Sequence, residues 1–593
     1  MSVAHPHLLL RAPTPTQASL TFCDASPRDL KRWIATLPKA NLGETARLLY
    51  QALGELNQLL TPSDNRLQML ELLRPEVYYV CKHLERHFLN QAIVLDERAR
   101  KVANLCQALQ NHLCIGYKQV VVRVAGRYSK DRAPLLATAL QRAMHCLNGP
   151  LIRASLLYCP VPEGVWLELH QLYQVALQHQ LQNQPITDAL AAHVQKLTPQ
   201  QTYVVALLLG SSRCNQMRQN AIARLAEVLE AWSVLATVQP AAAPGSLFAM
   251  APGVDGPPRY TSLFTAEQLP QLLGLDPHAL ANAIKHYLEL PAEQRSLSRL
   301  VPAGFSLDLL QHLSAAWGDV AERTFQRTPG QGTLTLCIGM SALHFYLGGE
   351  RSFSEILQHP AAGRSAQFTE QQSGNAGKQT WQRTFDSDRP VEEIQYDAPH
   401  RDASAGNSSN NNEQNFPTYA LQIINHSPGG YCLAWPKEVP AQLQAGEMVG
   451  IQDSPAQGWS VAVVRWVRQV RSGGTQMGIE LVAPHAQPCG LQLVRASEPN
   501  SQYLRGLLLP EIRAIDIPAT LLAPRLPFQE GHKVLINTNG EERPAGLNKR
   551  LASTGSFNQF EYRNLEQPQQ AQLPGGREDP AQGGEFDSLW KDL

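Results

Sequence analysis

The chain has 593 residues with 51 Lys plus Arg against 51 Asp plus Glu, so its formal net charge is zero, and only 17% of its residues are charged. That balance excludes a protein whose main business is coating nucleic acid or an anionic membrane, and it makes any anion site a local one. At this length, with 42 Pro and 40 Gly, the chain reads as about three or four domains rather than a single core.

The start, His5-Pro6-His7 followed by Leu8, Leu9, Leu10 and Arg11, lacks the basic region, long apolar run and small-residue cleavage site of a secretory signal. No apolar run reaches bilayer length. Residues 1–25 are expected to be a flexible N-terminus and the protein to be cytoplasmic, with no membrane span. Ten scattered cysteines show no CxxC pair and no zinc-ligand spacing, so they read as reduced, mostly buried thiols with no metal site.

Over residues 26–318 apolar residues recur at helical spacing, as in Leu49, Leu53, Leu56, Leu60 and in Trp166, Leu169, Tyr173, Ala176. The expectation is a large all-helical domain, a bundle or solenoid-like stack, with a loop near 240–262 where Pro, Gly and Ala concentrate. Ser26-Pro27 and Thr61-Pro62-Ser63 read as helix starts, Pro75 as the beginning of a further helix, and Asn148-Gly149-Pro150 as a break between helices. Helices are expected to resume at Thr265.

Beyond Gly330-Gln331-Gly332 the pattern turns to strands. Thr333 to Gly339 reads as one, continued by the alternation of Leu343, Phe345 and Leu347. Residues from about 360 to 416 are mostly Gln, Ser, Asn, Gly, Asp and Pro and are expected to be a disordered insertion. Strands return at Tyr419–Ile424, Tyr431–Trp435, Met448–Gln452, Trp459–Val470 and Gln476–Val482, with Ser472-Gly473-Gly474 as a hairpin turn, which suggests a small antiparallel barrel. A second β-rich unit, possible as a degenerate barrel, is expected over 500–565, with strands near Ile515–Leu522, His532–Asn537 and Phe557–Arg563. Residues 566–593 read as a disordered tail. In it Phe586, Leu589, Trp590 and Leu593 take the i, i+3, i+4, i+7 spacing of a peptide that docks as a helix in a groove. The fold class expected is therefore multidomain α + β.

Enzyme signatures fail one by one. Gly339-Met340-Ser341 lacks the second glycine of a nucleophile elbow, and there is no Walker A loop, no HExxH and no GxGxxG after a strand. Gly583-Gly584-Glu585-Phe586 imitates a cyclase signature in a tail with no domain around it. No catalytic residue and no cofactor are expected.

Two short patterns stand out together. Arg323 and Arg327 lie four apart at the helix-to-strand junction, and Asn425-His426-Ser427-Pro428-Gly429-Gly430 falls between two predicted strands. Two guanidinium forks can pair with phosphate oxygens or with guanine O6 and N7, and can stack on purine faces. An Asn amide and a Ser hydroxyl can hydrogen-bond a base edge, and Gly430 permits a positive φ or a close backbone approach. RxxxR before a barrel and NxSxxG within it make this segment resemble the PilZ-domain family of bacterial cyclic di-GMP receptors. The hairpin Val461–Val467 with Gly478-Ile479-Glu480-Leu481 extends the resemblance, which covers residues 319–495 as a PilZ-like barrel. The separation of Arg327 from Asn425, 98 residues, exceeds the family's usual spacing, and the insertion accounts for the excess.

The resemblance implies cyclic di-GMP as ligand, held by Arg323, Arg327, Asn425, Ser427 and Gly430, with Arg465 and Arg468 as possible additions. It also implies an effector of pili, motility, adhesion or biofilm formation that meets an unidentified protein partner through its helices or tail, without DNA or RNA. The alternative is a scaffold that keeps the barrel and binds no ligand.

Overall fold

The computed structural model describes residues 10–565 except 192–193, 303, 319, 321–325, 359–415, 437, 455–456, 472, 496–500 and 512–517. The expected insertion, Arg323 and the tail therefore lie outside the described residues.

Eight helices build the first unit: α1 (Pro27–Ala35), α2 (Leu42–Gln58), α3 (Ser63–Leu84), α4 (Glu97–Ala125), α5 (Ala133–Leu156), α6 (Val165–Gln178), α7 (Pro199–Ser211) and α8 (Gln219–Trp232). Their starts are chemically marked. Ser26, Asn41 and Asp96 accept the N3 amide of their helices, and Thr198 with Gln201 forms a reciprocal capping box. The core is Leu49, Leu53, Leu73, Val77, Tyr117, Leu140, Leu172, Tyr203 and Trp232, each 1% exposed or less. Residues 10–25 correct the expectation of a flexible start. Leu10 and Leu20 are buried, Gln17 bridges to Leu59, and the Arg11 amide donates to Glu168 at 2.8 Å.

Two local breakers are overridden by packing. Pro75 lies inside α3, and Gly149-Pro150 lies inside α5. A proline costs one intrahelical bond, which the buried faces of these long helices outweigh. Gly149 is there for a close approach, because a Cβ would run into the Gln110 side chain of α4.

The short strands β1 (Ile186–Thr187) and β2 (Lys196–Leu197) pair between α6 and α7. The stretch expected as a loop near 240–262, and the helix expected at Thr265, are corrected to a four-stranded sheet: β3 (Thr237–Pro240), β4 (Phe248–Met250), β5 (Arg259–Tyr260) and β6 (Leu273–Asp276), in the order β3-β6-β4-β5. Strands of two to four residues are too short to announce themselves by alternation. Helices resume with α9 (His278–Glu289), α10 (Ala292–Leu297) and α11 (Leu307–Gly318).

Next come β7 (Thr328–Pro329), β8 (Thr333–Ile338), α12 (Met340–Leu347) and α13 (Phe353–Leu357). Helix α12 corrects the strand expected through Leu347. Gly339, at φ 89°, turns the chain, and the consecutive residues Ala342, Leu343 and His344 are all buried, which no half-exposed strand allows. Then β9 (Thr418–Ser427), β10 (Gly430–Trp435), β11 (Met448–Gln452), β12 (Ser460–Gln469) and β13 (Thr475–Ala483) close with β8 into a six-stranded barrel in the order β10-β13-β12-β11-β8-β9, with β7 laid on β9. A second closed barrel follows: β14 (Gln487–Leu493), β15 (Leu504–Leu509), β16 (Thr520–Pro524), β17 (Lys533–Thr538), β18 (Glu541–Ser553) and β19 (Phe557–Asn564). It is complete rather than degenerate, and it begins at Gln487, inside the range expected to end the first barrel.

Helix α12 wedges between the barrels, where His344 Nε2 donates to Cys489 O at 3.1 Å. Burial lowers its pKa to about 4. The neutral ring is the folded form, so its stabilising contribution is full above the unfolded value near 6.5 and falls as pH drops toward 4. Between pH 7 and pH 5 this linkage should remove about 2 kcal/mol of stability. Urea unfolding at both pH values should show that slope in the wild type and its loss in His344→Gln; an unchanged slope in the variant would refute the assignment.

Candidate functional site

Strands β9, β10, β13 and β12 are neighbours in the first barrel, and the register aligns one row of residues across them. Asn425 is opposite Cys432, Cys432 opposite Gly478 and Gly478 opposite Trp466, with Pro329 of β7 beyond Asn425. At about 4.8 Å per strand, the row from Asn425 to Trp466 spans about 14 Å. Side chains two positions away lie on the same face. The next row on one side holds Ser427, Gly430 and Glu480; on the other it holds Gln422, Ala434, Gln476 and Arg468. The opposite face, with Leu433, Met477, Val464 and Val467 all 0% exposed, fills the barrel.

The middle of the outward face is low because Cys432, Ala434 and Gly478 are small. The Trp466 ring lies against Gly478, where a Cβ would collide with the indole. The Arg468 guanidinium sits 5.2 Å from the Trp466 ring centroid, held by two hydrogen bonds to Gln476 Oε1 at 3.1 and 2.8 Å. Arg468 also borders a cavity of about 520 Å³ between the end of α5 and β12, lined across the gap by Cys159, Pro160 and Val161.

The motif turn closes the other side. Gly430 has φ 151°, and a Cβ there would strike Ile479 O on β13, so only glycine lets β10 start this close to its neighbour. Ser427 Oγ lies 3.4 Å from Gly430 O, a long contact that leaves the hydroxyl available. Asn425 is half-buried in the row itself. Arg327 is exposed on the approach to β7, one residue before Thr328 pairs with His426.

Burial pushes the Cys432 thiol up, and the charges of Arg468 and Arg327 act on it in the opposite sense. Arg468 stands on β12 at one end of the face, and Arg327 precedes β7 at the other. Arg465, at the bulge in β12, makes a two-pronged pair with Glu480 at 2.6 and 3.0 Å beside Gly430. The structure thus places Arg327, Asn425, Ser427, Gly430 and Arg468 on or around one surface, with Arg465 engaged at its edge. Arg323 is outside the described residues. Sequence reasoning placed Trp466 and Gly478 in the hairpin but not in the site, because their pairing depends on register. Among the described residues no group of three or more His, Cys, Asp or Glu could hold a metal ion. None of their helices is long and apolar enough to cross a membrane.

A flat aromatic ring, an amide and a hydroxyl with free capacity, and two guanidiniums some strands apart can receive a planar base and its phosphates.

Comparison with known proteins gives three matches in succession. The family model described as "Cyclic-di-GMP receptor FimW, N-terminal domain" matches residues 28–243, that described as "Cyclic-di-GMP receptor FimW, middle PilZ domain" matches 247–488, and "FimW C-terminal beta-barrel domain" matches 489–565. The cyclic-di-GMP receptor FimW of Pseudomonas aeruginosa is 60% identical over 609 aligned residues, covering 99% of each chain. No solved structure matches. The models place most of the four-stranded sheet and α9 to α11 with the first barrel, whereas the sequence pattern had grouped them with the helices.

Proposed function

The chain belongs to the FimW family, whose middle domain is a PilZ domain, and on that premise we propose that it is a cyclic di-GMP receptor that binds the dinucleotide on the outward face of β9, β10, β13 and β12. The observation that carries this reading is the row Asn425–Cys432–Gly478–Trp466 with Arg327 and Arg468 at its two ends. One guanine stacks on Trp466, its edge or that of its partner meets Asn425 and Ser427, and the arginines neutralise the phosphates. Arg323 joins Arg327 as the second guanidinium of the arm before β7, and Gly430 keeps the motif turn close to β13.

The role is that of a sensor without catalysis or cofactor, working in the cytoplasm. Gln469 at the end of β12 donates to Ile93 O and Leu157 O of the helical unit at 2.8 and 2.9 Å, three residues beyond Trp466 of the row. Ligand on the face is thereby read as a change in how barrel and helices sit, which a protein partner senses; pili, motility, adhesion and biofilm formation are the outputs the PilZ resemblance suggests.

Isothermal titration of cyclic di-GMP into the full chain, with cyclic di-AMP as control, tests the reading. Saturable binding at micromolar or tighter affinity, selective for the guanine dinucleotide, is expected. A folded chain that takes up no cyclic di-GMP would overturn it and leave the face as a scaffold surface.

A further inference from the structure

The helical unit carries a groove that the nucleotide site does not use. It is a cavity of about 520 Å³ crossing α3, α5 and α8, walled by Tyr79, Phe88, Ile152, Leu156, Leu190 and Val205. Tyr79 and Leu190 stand at its border 42% and 38% exposed, although Phe88 and Val205 below them are buried. With the concave apolar wall beneath them they form a seat that an apolar helix face can fill. The polar groups of the floor are mutually satisfied: Tyr78 OH donates to His145 Nδ1 at 2.8 Å, and Arg153 donates to Gln107 and Gln110 at 2.6 Å each. One is not, since Asn148 Oδ1 is buried without a hydrogen-bond partner.

We infer that this groove is the dock of the chain's own C-terminal segment, with Phe586, Leu589, Trp590 and Leu593 inserted as the apolar face of a short helix. Three observations select this occupant. First, the segment supplies the missing chemistry: four large apolar residues at i, i+3, i+4 and i+7, one of which brings an indole N–H for the orphan Asn148 acceptor. Second, the segment's mixed charges can be seated. It carries Glu585, Asp587 and Asp592 with Lys591, and the groove's border is mixed too, with Lys82 and His83 exposed and Glu85 and Glu230 half-buried beside them.

Third, the tether reaches. Arg218, just before α8, hydrogen-bonds Ser556 just before β19. From there α8 leads to Glu230 in the groove and β19 leads to Asn564, so groove and last described strand are about 50 Å apart at most. The 22 residues from Asn564 to Phe586 extend to about 70 Å.

The test uses the full chain with p-benzoyl-phenylalanine in place of Trp590, irradiated and mapped by mass spectrometry. Cross-links within one chain to residues 78–88, 145–156 or 190 are expected. The exposed double substitution Tyr79→Asp with Lys82→Glu should cut their yield at least tenfold while leaving thermal unfolding unchanged. In parallel, Phe586→Ser with Leu589→Ser and Trp590→Ser should speed amide exchange in the 78–88 segment about tenfold. Cross-links elsewhere, cross-links between two copies, no cross-link, or exchange that ignores the tail substitutions would each overturn the assignment.

Discussion

Arg327→Ala is expected to raise the dissociation constant for cyclic di-GMP by roughly 30- to 150-fold in isothermal titration, the equivalent of about 2–3 kcal/mol for one charge-assisted, two-pronged contact to phosphate or guanine. Placement sets the size of the effect. Arg327 is exposed immediately before β7, whose two residues hold it against His426 and Asn425, and its charge is felt at Cys432 in the centre of the face. The free protein loses little when the side chain goes, because it is exposed, so the thermal transition should stay where it is. Arg327→Lys should recover only part of the affinity, since an ammonium is a point charge without the planar fork. Trp466→Ala should weaken binding by about 1–3 kcal/mol, the range for losing one stacked base. Retention of wild-type affinity in Arg327→Ala would remove the ligand from this face.

Much of this surface is legible in the sequence because it rests on local chemistry. A turn that needs Gly430, an amide and a hydroxyl two apart, and arginines before a run of strands are each visible in a few consecutive residues. The rest depends on distant partners. Trp466 becomes a platform only because the register sets Gly478 opposite it, and a bulge at Arg465 shifts that register by a residue. Pro75 and Gly149-Pro150 read as breaks because local propensity favours breaks; the burial of α3 and α5 on several neighbours reverses the balance. The four-stranded sheet from Thr237 to Asp276 was hidden by the same Pro and Gly residues that form its turns. Leu343, Phe345 and Leu347 alternate like a strand, yet a helix results, since Gly339 turns the chain and both barrels bury the segment. Short apolar runs of this kind fit either period.

Asp188→Asn should destabilise the helical unit by about 3–5 kcal/mol, the cost of leaving buried charges without their partner. Asp188 follows β1 and is 114 residues from Arg74, whose Nη1 and Nη2 donate to its two carboxylate oxygens at 2.7 Å each. Arg142 Nη1 adds a third bond at 3.2 Å, and the Leu190 amide a fourth at 2.9 Å. All three side chains are at most 4% exposed. The asparagine keeps the shape but removes the charge, so two buried guanidiniums lose their counter-ion; Arg142 keeps Glu71, but Arg74 has no second carboxylate in its hydrogen-bond shell. For a unit of this size the loss corresponds to a drop of roughly 6–20 °C in Tm. Burial alone would raise the Asp188 pKa, but the bonds from Arg74 and the charges of both arginines outweigh it and hold the group well below the usual carboxylate range. Its contribution is therefore present above about pH 4, the unfolded value, and declines as pH falls below it. Calorimetry should find the gap between wild type and Asp188→Asn constant from pH 8 to 5 and closing below pH 4. The joint replacement Arg74→Met with Asp188→Leu should cost much less than the single change, because a buried ion pair exchanged for apolar side chains is often close to neutral. A single variant within about 1 kcal/mol of wild type would mean that water reaches Arg74 and that the pair is not the tie between α3 and the β1–β2 loop.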